Sequence, residues 1–149
     1  MTFVSFVVIS ALYTYPMRIL AVDPGDKRIG IALSDASGTI ASPLQVLAHE
    51  SRAADAAHIT ALAAQHGAER IVVGQALGED GQPTYSGRKA ARLAGALRAA
   101  TSLPIQLWEE SYSTQEALAA RRALGASTQN IDASAAAVIL QDYLDNQTT

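Results

Sequence analysis

The stretch RILAVDPGDKRIGIALSD, Arg18 to Asp35, decides how the chain folds. From Met17 to Asp23 the residues Ile-Leu-Ala-Val follow one another without polar alternation, as in a strand covered on both faces. Pro24 and Gly25 then supply two residues suited to a tight turn. A second aliphatic run occupies 28–35. Strands joined by so short a link pair antiparallel. One carboxylate, Asp23, is left at the mouth of the first strand. It either opens the turn, as aspartate commonly does, or serves chemistry beyond the strand end.

A Ser37-Gly38 turn leads into a third strand over 39–47, completing a meander. The period then changes. Residues 51–67 carry apolar side chains at helical spacing, with Ser51 as N-cap and Gly67 just past the end. A β-branched strand over 69–77 follows, then the polar loop GEDGQPT and a helix over 85–101. A fifth strand over 103–110 precedes a helix over 113–125, opened by a Ser113–Glu116 capping box. A last helix covers 130–146. The order βββαβαβαα predicts an α/β fold. Helix-strand alternation implies parallel crossovers, so the meander extends into a mixed five-stranded sheet with helices on both faces.

The 149 residues suit a single domain, and an apolar fraction of 49% suffices for one substantial core. The absence of cysteine excludes a disulfide scaffold, a thiol nucleophile and Cys-ligated zinc. The net charge, 11 − 14 = −3, is not that of a basic nucleic-acid coat protein. Any polyanion must be met by local basic patches or bound cations. Residues 1–16 carry no charge, and their apolar run is broken by Ser, Thr and Tyr. They read as an apolar extension upstream of a natural start at Met17, with a signal or anchor, or an extra edge strand, as alternatives.

Candidate chemistry lies where strands end in acids. The first strand ends at Asp23, the fifth at Glu109-Glu110, and the last helix opens around Asp132. Strands one, four and five are neighbours in a sheet of this order, and ligand sites of open α/β sheets lie beyond the carboxyl ends of the strands. Asp23, one of the two glutamates and Asp132 can converge there. Gathered carboxylates repel one another unless a hard cation neutralises them. Mg²⁺ or Mn²⁺ favours such oxygen ligands, and two ions about 4 Å apart suit phosphodiester hydrolysis. Taken singly, Glu109 and Glu110 also read as a solvated strand end, and Asp132 as a helix N-cap.

Basic residues are sparse but grouped. Lys27 and Arg28 flank the first turn, and Arg88, Lys89 and Arg92 lie on the second predicted helix. Both groups are candidates for holding phosphates, with Arg88 and Arg92 four apart on one face. Arg121 and Arg122 complement the dipole at the end of the third helix. His49, His58 and His66 lack metal-ligand spacing, and neither a P-loop nor G-x-G-x-x-G is present.

Several stretches together resemble the YqgF/RuvX family, known both as pre-16S rRNA nucleases and as Holliday junction resolvases. AVDPGDKRIGIALSD is similar to its opening signature, ERIVVGQALGEDGQPT to its fourth-strand motif, and GRKAARLAGAL to the helix after it. LWEESYSTQEA is similar to its acidic fifth-strand motif and IDASAAAVILQDYL to its closing helix. The likeness runs from Met17 to about Leu144 in the family's order. Three departures stand out. Ser111 replaces an arginine usual after the fifth strand, Gln75-Ala76 stands where the family has Leu-Pro, and the GASTQN loop lacks lysine.

The resemblance implies a ribonuclease H-like nuclease domain over 17–149. It implies a hydrolase of phosphodiester bonds, dependent on Mg²⁺ or Mn²⁺ at a two-metal site. Asp23, Glu110 and Asp132 would be catalytic and metal-holding, with Glu109 in reserve, and Lys27, Arg28, Arg88 and Arg92 would face the substrate. That substrate would be precursor rRNA, processed at the 16S end during ribosome biogenesis, or four-way DNA. Ribosomal particles are a further expected partner, the location is cytoplasmic, and no membrane is involved. Two readings from other classes compete. One is a non-catalytic RNA- or ribosome-binding module. The other is a phosphate loop of the actin and sugar-kinase type, read from Asp23, Gly25 and Gly30.

Overall fold

The structure is a computed structural model and describes residues 17–110, 112–123 and 128–147. The expected apolar extension 1–16 and the departure at Ser111 lie outside those residues. Five strands form one sheet: β1 (Ile19–Pro24), β2 (Arg28–Ser34), β3 (Ala41–Ala48), β4 (Arg70–Gln75) and β5 (Ile105–Glu109). Four helices accompany them: α1 (Arg52–Gln65), α2 (Tyr85–Ala100), α3 (Tyr112–Ala123) and α4 (Thr128–Asp145). The sheet order is β3-β2-β1-β4-β5. β1 to β3 form the antiparallel meander, and β4 and β5 join in parallel.

Strand alternation divides the core in two. Leu20, Val22, Ile29, Ile31, Ile71 and Val73 point to the side covered by α1 and α2, where Ile59, Leu62, Leu93 and Leu97 meet them. Ile19, Ala21, Ala32 and Val72 point to the other side, against Ala136, Leu140 and Tyr143 of α4. Leu118 of α3 packs on Ala135 and Ile139 of α4. β1 and β4 are therefore buried on both faces, which is why their sequences show no polar alternation. β3 is an exposed edge, and its Pro43 is placed where a missing N–H is tolerated.

The position of α4 depends on residue 30. A Cβ built on Gly30 would stand 2.0 Å from the Asp132 carbonyl oxygen, so helix backbone and strand backbone touch with no side chain between them. The far end of α4 is fixed by polar contacts. Tyr143 is fully buried, accepts a hydrogen bond from Arg70 Nη1 at 2.8 Å and donates one to Gln106 Oε1 at 3.0 Å. Trp108 meets the Tyr143 ring edge-on at 5.1 Å and donates from Nε1 to Asp142 Oδ2 at 2.9 Å. β4 and β5 thus hold one end of the helix while Gly30 admits the other.

Two expected boundaries change. α3 begins at Tyr112, so Ser113 lies inside its first turn instead of capping it. The β5 ladder continues to the Glu110 N–H, which donates to the Gln75 carbonyl at 3.2 Å, and the helix follows almost at once. α4 begins at Thr128, so Asp132 is not an N-cap but lies in the second turn. No glycine or proline between 128 and 132 stops the helix from starting earlier. Ser51 does cap α1, accepting the Ala54 N–H at 3.1 Å, and Gly67 takes the left-handed backbone at φ 68°.

Two outcomes follow from this packing. Gly30→Ala should cost about 1–3 kcal/mol in urea unfolding, because the new methyl must push α4 off the sheet; an unchanged midpoint would mean that the helix stands clear. Asp35 closes the β2–β3 turn. Its carboxylate accepts from the backbone of Thr39 and Ile40 and from the Ser37 hydroxyl. The Thr39 N–H first, then the Ser37 hydroxyl, hold its carboxyl below the ordinary aspartate range. The carboxylate form is favoured in the folded chain, so the stabilisation is present above about pH 4 and is lost as pH falls through the lowered value. Asp35→Ala should lower the melting temperature at pH 7, and the difference from the parent should shrink on acidification.

Candidate active site

Three sequence-expected acids share one face and one end of the sheet. Asp23 follows Ala21 by two residues, and Glu110 follows Trp108 by two, so period-two alternation turns both toward α4. Asp132 lies one turn before the buried Ala136 on α4 itself. Asp23 pairs with Gly30 in the β1–β2 ladder, and Gly30 is the residue on which the Asp132 backbone rests. Asp23 and Glu110 are half-buried, whereas Glu109 is exposed and by alternation belongs to the opposite face. Between β1 and β5, β4 presents Gly74. A Cβ there would stand 3.3 Å from Glu110 Oε1 and 2.9 Å from Ile139 Cδ1. The missing side chain makes room for the Glu110 carboxylate.

Asp132 is engaged by Arg28, whose Nε–H donates to Oδ2 at 2.8 Å. The pair is only partly exposed, 35% for Arg28 and 21% for Asp132, so the charges neutralise each other at the rim of a shallow cleft. Gly25, Asp26, Lys27, Arg28 and Asp132 line that cleft. Among the described residues, no three His, Asp or Glu side chains stand as a ligand set on a single ion. The donor chemistry nonetheless fits a hard divalent cation. The three acids offer carboxylate oxygens only and share one rim, with Asp132 Oδ2 taken by the Arg28 guanidinium in this structure.

The basic candidates separate. Lys27 and Arg28 stay beside Asp132. Arg88 and Arg92 ride on α2, which covers the other face of the sheet. Arg88 is exposed and donates to the Pro83 carbonyl at 3.2 Å. The kinase-type phosphate loop loses its basis, because Gly30 is filled by the α4 backbone and not left open for a phosphate. Gly74, whose gap makes room for Glu110, was missed in the sequence; its only signal was a glycine within a β-branched run, two residues after Val72.

The family model described as RuvX, Holliday junction resolvase, matches residues 17–146. The chain belongs to the RuvX family. A RuvX relative from Anaeromyxobacter sp. (strain Fw109-5), named "Putative pre-16S rRNA nuclease", is 42% identical over 135 residues, covering 88% of this chain and 98% of its own. One of the same name from Pelotomaculum thermopropionicum is 39% identical over 136 residues, covering 88% of each. Among solved structures, RuvC of T. thermophilus bound to a Holliday junction substrate superposes with a TM-score of 0.57 at 18% identity, over 88% of this chain and 95% of that one. Fowlpox virus resolvase with Holliday junction DNA gives 0.54 at 10% identity, over 89% and 100%. These two likenesses establish the ribonuclease H-like fold for this RuvX chain. Among the described residues, no helix is long and apolar enough to cross a membrane.

One electrostatic contact fixes the β1–β2 turn. Lys89 of α2 donates to Asp26 at the tip, and this hydrogen bond, reinforced by the ammonium charge, holds the Asp26 carboxyl below its ordinary range. Replacing Lys89 with Met should move the Asp26 titration midpoint up toward the ordinary aspartate range in a carboxyl-detected NMR titration. An unmoved midpoint would mean that the turn is not tied to α2.

Proposed function

We propose that this chain is a divalent-metal-dependent endonuclease whose acids Asp23, Glu110 and Asp132 hold one or two Mg²⁺ or Mn²⁺ ions. Its substrate is structured nucleic acid, with the 16S end of precursor rRNA as the first choice. The observation that carries the reading is placement. Two carboxylates at the ends of strands flanking β4 turn to the same face, and α4 brings a third onto that rim over Gly30. Family membership and the names of the relatives point the same way. When bound, the ions supply charge neutralisation at the phosphodiester and an acidified water.

The remaining work falls to the chain. Asp23 and Glu110 are held by strand backbone, so their carboxylates need little reorganisation. Arg28 uses Nε for Asp132 and keeps its Nη donors for a non-bridging phosphate oxygen, a bidentate geometry that lysine cannot offer. Lys27, exposed at the turn, adds a point charge for the neighbouring phosphate. In the reaction, water oxygen bonds to phosphorus, one P–O ester bond breaks, and the departing oxygen takes up a proton. Glu109 has no part in this arrangement.

The test uses the full chain with labelled precursor rRNA and four-way DNA, in Mn²⁺ and in EDTA. Asp23→Asn, Glu110→Gln and Asp132→Asn should each lower cleavage by on the order of a hundredfold and weaken Mn²⁺ binding read by electron paramagnetic resonance. Glu109→Gln should retain both. Cleavage by Asp23→Asn at the parental rate would overturn the assignment. The family description as Holliday junction resolvase supports a second reading, DNA junctions as substrate, which preferential cleavage of the four-way DNA would favour.

A further inference from the structure

A second concavity opens on the opposite side of the β1–β2 turn from the acids. Its volume is about 270 Å³, and Gly25, His49, Arg52, Tyr85, Lys89 and Arg92 are among its walls. Gly25 also lines the cleft that holds Asp132, so one turn separates the two. β3 runs parallel to β1, so α1 and α2 both start at the same sheet end as Asp23. The amino termini of both helices flank the cavity and add positive potential to its cationic side chains.

Part of the positive charge there is taken up within the fold and part is not. His49 is hydrogen-bonded through Nδ1 to the buried Asp55, and Asp55 also accepts the Glu50 N–H at 3.0 Å, which leaves that acid fully engaged. Lys89 holds Asp26. Among the described residues neither Arg52 nor Arg92 is drawn into an ion pair. Tyr85 is 63% exposed, one of two large apolar side chains so exposed among the described residues, and Lys89 Nζ lies 5.8 Å from its ring centroid. A cationic hollow beside an open aromatic ring is the chemistry of a single-stranded nucleic-acid subsite: guanidinium for phosphate, ring for base.

We propose that this cavity is a nucleotide subsite for a single-stranded stretch of the substrate. Its phosphate lies between Arg52 and Arg92 and its base stacks on Tyr85. The proposal rests on the nuclease reading and extends it. The strand crosses the β1–β2 turn, so the cleavable bond lies on the acidic side and the next unpaired nucleotides on the basic side. The Asp26–Lys89 pair keeps the turn upright as the dividing wall. The subsite gives the enzyme a reason to prefer substrates with unpaired residues next to structured ones.

The experiment reads binding apart from cleavage. A fluorescein-labelled oligonucleotide with a duplex and a single-stranded tail is titrated in EDTA, with fluorescence anisotropy as the signal and a blunt duplex as control. Tyr85→Ala should weaken binding of the tailed probe on the order of tenfold and leave the blunt probe unchanged, whereas Tyr85→Trp restores it. Arg52→Ala and Arg92→Ala should each flatten the slope of log affinity against log salt by about 0.7, one lost phosphate contact on a single strand. Melting temperatures of the variants, expected to match the parent, show that the fold is intact. Inorganic phosphate alone is the competitor that tests for a simple anion site. Full displacement of the tailed probe by millimolar phosphate, or parental binding by both Tyr85→Ala and Arg52→Ala, overturns the proposal. Tyr85-dependent binding by a chain that cleaves nothing would sink the nuclease reading and leave the subsite standing.

Discussion

Helix α4 can lie on β2 only because residue 30 lacks a side chain, and the rest of the acidic rim follows from that contact. The Asp132 carbonyl sits where a Cβ would be, which sets the height of the helix above the sheet. The small residues Ala133 and Ala136 keep that height low along the next turn. Tyr143, bound by Arg70 and Gln106, then fixes the angle at the far end. A helix held at two points has little freedom to slide, so the acid on its second turn keeps its place relative to strands that lie far from it in sequence.

Glycine plays a related part on the neighbouring strand. Gly74 and Gly30 both face α4, and between them β1 presents Asp23. On the face that carries the acids, two strand positions beside them have no side chain. The opposite face carries Ile29, Ile31, Ile71 and Val73 at full size. Both sides are packed, but only the α4 side loses strand side chains at the end where the acids gather. The charge balance follows the same division. An acidic chain of net charge −3 can still approach a polyanion, because Arg28 neutralises Asp132 on one side of the turn and Arg52 and Arg92 stand on the other.

Much of this was legible in the sequence, for physical reasons. Unbroken aliphatic runs marked β1 and β4 as covered on both faces, and the two-residue punctuation of Pro24-Gly25 forced the hairpin. That Glu110 and not Glu109 faces α4 follows from the parity of the strand once its register is known. The start of α4 was not legible, because Thr128, Asn130 and Asp132 are all residue types that cap helices and no breaker chooses among them. The separation of Arg88 and Arg92 from Lys27 and Arg28 was not legible either. Which face a crossover helix covers depends on chain handedness, which no local pattern records. The cavity behind the turn joins residues from 25, 52 and 92, and only the folded sheet reveals such a grouping.

The placement of β4 has a consequence for how the enzyme comes into being. β4 inserts between β1 and β5, so the meander synthesised first has one open edge on β1 until residues 70–75 return to it. On a ribosome, where chain emerges from the amino terminus, Asp23 appears early and Asp132 arrives 132 − 23 = 109 residues later. The acidic rim is therefore complete only after nearly the whole chain has been released. Until then the chain carries Asp23 without the acids that β5 and α4 bring to the same rim.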